Sequence, residues 1–144
     1  MPQRTRTWNL VPEPREAGLL DTSVVIDLGH LDAALLPQRV AICAVTLAEL
    51  SAGPAATEDR AERARRQDRL QRVEAAFEPI AFGAEAARAY GRVYAAVVAA
   101  GRQPRRRFVD LLIASVAVAE DLPLYTRNPD DFSGLEPVLD VVAL

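Results

Sequence analysis

The sequence predicts an α/β fold of three layers, α/β/α, with helices on both faces of a central parallel sheet. Three observations predict it. Short apolar runs at residues 17–20, 40–44 and 138–142 have the length of buried strands. They alternate with longer segments of helical character, the order that gives a parallel sheet. Residues 109–120 are apolar nearly all round, as suits a helix covered on every side. A chain of 144 residues with 50% hydrophobic residues is large enough for one domain with a real core.

The elements follow in order. Residues 1–16 are polar and carry Pro2, Pro12 and Pro14; they are expected to form an extension ahead of a domain over residues 17–144. Residues 17–20 form a short buried strand. A helix starts at Val24 and breaks at Gly29, and a second helical piece over 32–36 stops at Pro37. Residues 40–44 are the next strand. Thr46 begins a helix that runs to about Ala52 and ends at Gly53-Pro54. Thr57 caps a long helix reaching about Phe77. Its acids precede arginines by four residues at Asp59/Arg63, Glu62/Arg66 and Asp68/Arg72, the favourable order, and Leu70, Val73 and Phe77 form its apolar stripe. Residues 79–82 are a short strand. Residues 84–100 are an Ala-rich helix with Tyr90, Val93, Tyr94 and Val97 on one side. A basic loop over 101–107 leads into the central helix, and strands at 122–125 and 138–142 close the fold.

Composition excludes several chemistries. All 17 basic residues are arginine, so no mechanism that needs a lysine is open. The single Cys43 cannot form an internal disulfide, which suits a reducing cytoplasm. A single His and a single Cys argue against a zinc site. No apolar run approaches the roughly 20 residues of a membrane span, and the start lacks the apolar core of a signal peptide. The net charge of −3 means that a nucleic acid would have to be met by a local arginine patch.

Four acids stand at seams between apolar elements and their neighbours: Asp21, Glu49, Asp110 and Asp131. Burying a carboxylate there is costly unless something pairs with it. In open α/β sheets, sites gather at the carboxyl ends of the strands. Asp21 and the loop from Thr126 to Asp131 directly follow predicted strands, while Glu49 and Asp110 lie near helix starts, so all four can meet at one edge. Oxygen-rich clusters of this kind suit a hard divalent cation, Mg²⁺ or Mn²⁺. Each acid also has a purely structural use. Thr46-x-x-Glu49 reads as a capping box, Asp21 as a helix cap, Asp110 as a partner of the helix dipole, and Asp130 and Asp131 as turn residues. Four separate caps would have no reason to converge.

The arginines divide in two. Those of the long helix are interleaved with acids and read as a solvated face. Arg102, Arg105, Arg106 and Arg107 have no interleaved acid and lie just before Asp110. Guanidinium groups beside a metal-binding edge suit the phosphates of a phosphodiester substrate; the alternatives are a solvated loop or a contact to an acidic partner. A receiver domain and a haloacid-dehalogenase phosphatase both need a lysine, and a serine hydrolase needs Gly-x-Ser-x-Gly, which is absent.

The blocks Leu19-Leu20-Asp21-Thr22-Ser23, Thr46-Leu47-Ala48-Glu49-Leu50, Asp110-Leu111-Leu112-Ile113-Ala114 and Thr126-Arg127-Asn128 with Asp131-Phe132 resemble, in order and spacing, the PIN-domain family. More closely they resemble the VapC toxins of type II toxin–antitoxin systems. The resemblance spans residues 17 to about 140. It implies a PIN-like fold and a Mg²⁺-dependent endoribonuclease, with Mn²⁺ as substitute, that cuts RNA by metal-activated water attack. It implies a VapB-type antitoxin partner, a homodimer and no membrane. By position, Asp21, Glu49 and Asp110 match the family's principal acids, Asn128 or Asp131 supplies the fourth donor, and Thr22 and Thr126 match supporting hydroxyls. The alternative is a PIN-like RNA- or protein-binding module without significant catalysis.

Overall fold

The computed structural model describes residues 15–144. The expected extension therefore lies outside the described residues, apart from Arg15 and Glu16. These two already run beside the second strand: the Gln38 N–H donates to the Arg15 carbonyl at 3.0 Å and the Arg39 N–H to that of Glu16 at 2.9 Å.

Four strands, β1 (Ala17–Leu20), β2 (Arg39–Ala41), β3 (Leu124–Thr126) and β4 (Val141–Ala143), form one sheet in the order β2-β1-β3-β4, every pair parallel. The helices are α1 (Thr22–Ile26), α2 (Ala44–Ala52), α3 (Arg60–Ala76), α4 (Ala84–Ala99) and α5 (Phe108–Ala119). Neighbouring strand residues face opposite sides of a sheet. Leu19 and Leu124 accordingly join a core with Val93, Val97, Ile113 and Val116 from α4 and α5. Leu20 and Tyr125 join the other core, with Val24, Leu50 and Val73 from α1, α2 and α3. This is the three-layer arrangement that the sequence predicts. No helix among the described residues is long and apolar enough to cross a membrane.

Several local expectations are corrected. The 79–82 segment makes only an isolated bridge, Cys43 to Ile80. Pro79, which has no N–H, precedes it and α4 follows closely, leaving room for a single pair. α2 starts at Ala44, not Thr46, because Cys43 takes the N-cap position. α3 is capped by Asp59, whose side chain accepts from the Ala61 N–H, while Thr57 sits two residues outside and accepts from the Asp59 N–H. Asp59 is therefore not the partner of Arg63. Arg63 donates instead to the carbonyls of Pro54 and Thr57, and Arg66 adds a bond to Gly53 beside its pair with Glu62. These two arginines pin the turn between α2 and α3 rather than face only solvent. On α4 the buried side is Ala86, Ala89, Val93 and Val97, and Tyr94 is exposed.

Gly18 is set against Tyr125 across the sheet. A Cβ there would stand 2.5 Å from Tyr125 Cε1. Gly18→Ala should force the ring or the strand to shift, at a cost of about 1–3 kcal/mol, the range for an overpacked core. Chemical denaturation measures it, and an unchanged midpoint would mean that the ring swings aside freely.

Candidate metal centre

Asp21 follows the last residue of β1 and is buried, 4% exposed. It occupies the N-cap position of α1, yet its side chain makes no capping bond. Its Oδ2 instead accepts from Ser23 Oγ at 2.8 Å and from Thr126 Oγ1 at 2.9 Å. Each of those hydroxyls in turn accepts a backbone N–H from the chain leaving β3: Arg127 N to Ser23 Oγ at 3.1 Å, and Asn128 N to Thr126 Oγ1 at 3.0 Å. The ends of β1 and β3 are thus tied together through one carboxylate. Ser23 was not foreseen as part of this site; its only signal was its place two residues after Asp21.

Glu49 belongs to α2, and the capping box expected with Thr46 does not form. Cys43 takes the N-cap position, so Thr46 is the third residue of the helix rather than its cap, and it is fully buried. The Glu49 carboxylate is exposed and accepts from Thr22 Oγ1 at 2.6 Å. Thr22 and Thr46 are themselves 3.1 Å apart through their hydroxyl oxygens.

Asp110 sits in the first turn of α5, half-buried. Its carboxyl is pushed up from 3.8 to about 6, first by burial and then by the charges of Asp21 and Glu49, with Arg107 acting the other way. The fold therefore brings Asp21, Glu49 and Asp110 to one edge of the sheet, within electrostatic reach of one another. They do not close into a cage: among the described residues no group of three His, Cys, Asp or Glu side chains is drawn together tightly enough to hold an ion unaided. An open arrangement of oxygen donors is what Mg²⁺ prefers, since it keeps several waters and binds through one or two carboxylates rather than an all-protein shell.

Asp131 lies in the short turn Pro129–Phe132, and its carboxylate is engaged by Arg107. Asn128 is exposed just before it. Arg102, Arg105 and Arg106 are exposed, and Arg107 is half-buried. Arg102, Arg106, Arg107 and Asp131 share the walls of a cleft of about 310 Å³. The basic loop is therefore not wholly free: one of its four arginines is already held by the acid predicted to join the metal site.

The model of the PIN domain family matches residues 18–136. Ribonuclease VapC5 of Mycobacterium tuberculosis is 42% identical over 128 residues, covering 87% of this chain and 92% of that protein. Among solved structures, VapBC-5 from Mycobacterium tuberculosis, a member of the VapBC family of toxin–antitoxin systems, superposes with a TM-score of 0.77 at 40% identity, covering 90% of this chain and 98% of that one. VapBC2 from Rickettsia felis, bound to a DNA fragment from its promoter, gives 0.72 at 26% identity over 89% and 98%. With the family model covering most of its length and a relative of this identity, the chain belongs to the PIN-domain family.

Proposed function

We propose that this chain is a divalent-cation-dependent endoribonuclease, the toxin of a type II toxin–antitoxin pair, formed by residues 17–144 acting as one unit. The observation that carries this reading is the gathering of Asp21, Glu49 and Asp110 at the carboxyl edge of the sheet, where burial first and then the charges of the other two raise the Asp110 carboxyl. Similarity to a ribonuclease, VapC5, supports the substrate. Similarity to VapBC complexes supports a VapB-type antitoxin as partner. Mg²⁺ is the proposed ion, with Mn²⁺ as substitute, and the cytoplasm the proposed compartment.

In this mechanism Asp21, fixed by Ser23 and Thr126, and Asp110 would hold the cation, and Glu49, oriented by Thr22, would complete the acidic face. Asn128 and Asp131 are the candidates for a fourth donor. A bound divalent ion supplies charge to polarise a phosphoryl oxygen and an acidified water as nucleophile. Among the described residues Arg102, Arg105 and Arg106 make no ion pair and would grip phosphates on either side, while Arg107 is paired with Asp131 and lowers the charge burden on Asp110. No histidine base is required, and His30, on the exposed turn after α1, is not called upon.

Apolar surface for a partner is also present. Tyr94 and Val98 on α4 and Phe108 and Val109 at the start of α5 are exposed, and Tyr90 packs edge-on against Phe108. The long helix α3, by contrast, has no large exposed hydrophobic residue among those described. A two-fold dimer contact or an antitoxin segment is proposed to cover the α4–α5 surface.

The test is cleavage of a single-stranded RNA by the purified chain. EDTA should abolish it and Mn²⁺ should restore it. RNA that is bound but left intact in Mn²⁺ would make the chain a binding module instead.

A further inference from the structure

We propose that the cleft between α1, α2 and α3 seats one unpaired RNA base beside the cut, and that Arg69 selects guanine or cytosine there. The inference rests on the reading of the acidic edge as the active site of a ribonuclease, and adds to it a position at which sequence is read.

A cleft of about 390 Å³ opens beside Glu49, within the ~300–1,000 Å³ of small-ligand sites. Thr22 and Glu49 stand in its wall, so it is continuous with the acidic edge. Thr22 and Ile26 are four residues apart on α1 and share one face of it. Thr22 holds Glu49, and Ile26 lines the cleft one turn further on, 43% exposed. Leu50 joins the lining from the core. Ala52 and Ala56, at the turn from α2 to α3, carry too little side chain to fill the space.

The remaining wall comes from α3. Arg66 is fixed there by bonds to Glu62 and to the Gly53 carbonyl. Arg69 lines the cleft and is half-buried, yet it makes no ion pair among the described residues. The helix explains why. Residues three and four away from it are Arg65, Arg66, Arg72 and Val73, none of them an acid. The nearby acids of α3 already have partners: Glu62 has Arg65 and Arg66, and Asp68 has Arg72. A guanidinium left among like charges on a concave wall calls for acceptors from outside.

The two clefts beside the acids lie on opposite faces of the sheet. The one with Arg102 and Arg106 is backed by Val97 and Leu111, from the core under α4 and α5. The one with Arg69 is backed by Leu50, from the core under α1, α2 and α3. A strand held by its phosphates on the first face and cut at the edge continues onto the second. There Glu49 and Glu62 line the cleft and disfavour a phosphate, whereas the flat face of a base fits against Ile26. Unpaired RNA offers bases out of the stack, and arginine planes are among the groups that receive them. Arginine only donates hydrogen bonds. Guanine presents two adjacent acceptors, O6 and N7, and cytosine presents N3 and O2. Along the edges of adenine and uracil, donors and acceptors alternate.

The experiment maps the cut ends of a randomised single-stranded RNA pool in Mn²⁺ for the wild type, Arg69→Ala, Arg69→Lys and Ala56→Phe. The wild type should favour guanine or cytosine at one position next to the cut. Arg69→Ala should reduce that preference by about tenfold, in the lower half of the range for one bidentate base contact. Arg69→Lys keeps the charge and loses the fork, so it should lose the preference too. Binding is read by anisotropy of a labelled RNA on the Asp110→Asn background. Arg69→Ala should leave the slope of log affinity against log salt unchanged, because a base contact neutralises no phosphate. Ala56→Phe fills the cleft from an exposed position, where folding tolerates the change. It should weaken binding by about tenfold, as for the loss of one stacked base. A wild type with no base preference next to the cut, a preference kept in Arg69→Ala, or wild-type binding by Ala56→Phe would overturn the base seat. A salt slope lower by about 0.7 in Arg69→Ala would make Arg69 a phosphate contact and overturn it as well. A wild type that cuts no RNA in Mn²⁺ would remove the ribonuclease reading itself, and this inference with it.

Discussion

Asp110→Asn should abolish RNA cleavage and at the same time make the ion-free protein harder to unfold. The two effects have one origin. The Asp110 carboxyl lies at about 6 rather than 3.8, because it is half-buried and faces Asp21 and Glu49. The folded chain therefore holds this proton more tightly than the unfolded chain does. The accompanying stability is fully present below about 3.8 and is lost as the pH rises through about 6. At neutral pH the ionised carboxylate costs the fold on the order of 2–3 kcal/mol, at about 1.4 kcal/mol per tenfold in proton affinity. Asparagine has nearly the same shape and no charge, so it removes this cost. The melting temperature should rise by several degrees at neutral pH and change little near pH 4, where the carboxyl is already protonated. Cleavage moves the other way. Removing an outer-shell partner typically costs about 10–100-fold, so loss of a direct donor should exceed about a hundredfold. Thermal melts at the two pH values and a cleavage assay in Mn²⁺ check both halves. Full cleavage by Asp110→Asn would sink the metal mechanism. A melting temperature that falls at neutral pH would show that the carboxylates do not repel one another as the geometry requires.

The second large effect concerns the arginine loop. Arg105→Ala with Arg106→Ala should weaken RNA binding across sequences by about tenfold at moderate salt, and should lower the slope of log affinity against log salt by about 1.4, at about 0.7 per phosphate contact for a single strand. Arg107 is best left in place for this test. It is engaged with Asp131 and partly offsets the charge on Asp110, so changing it would disturb the acids as well as the substrate grip. Anisotropy of a labelled RNA, measured on an Asp110→Asn background to prevent cutting, gives both affinity and slope. An affinity loss confined to one RNA sequence would mean that these side chains read bases rather than phosphates. An unchanged slope would assign Arg105 and Arg106 to a protein partner or to solvent.

The sequence by itself determined the layers and the addresses of the acids. Strand residues of alternating face and a helix apolar on every side leave few ways to bury the chain, and Leu19 with Leu20 and Leu124 with Tyr125 take up the two sides as the period of two requires. Asp21 at the end of β1 and the loop from Thr126 at the end of β3 follow from that order. What the chain could not disclose is who holds each carboxylate. Thr46-x-x-Glu49 has the spacing of a local cap, and local spacing cannot tell that Cys43 takes the cap position while Thr22, from a different helix, claims the Glu49 carboxylate. Ser23 and Thr126 are 103 residues apart and meet on Asp21 only because β1 and β3 pair in parallel. Arg107, read with its neighbours as a free phosphate grip, is turned to Asp131 by the approach of α5 to the turn after β3. Hydrogen bonds and ion pairs between distant segments depend on distances of a few tenths of an ångström. Those distances are set by how the packed layers come to rest, and only the tertiary structure decided them.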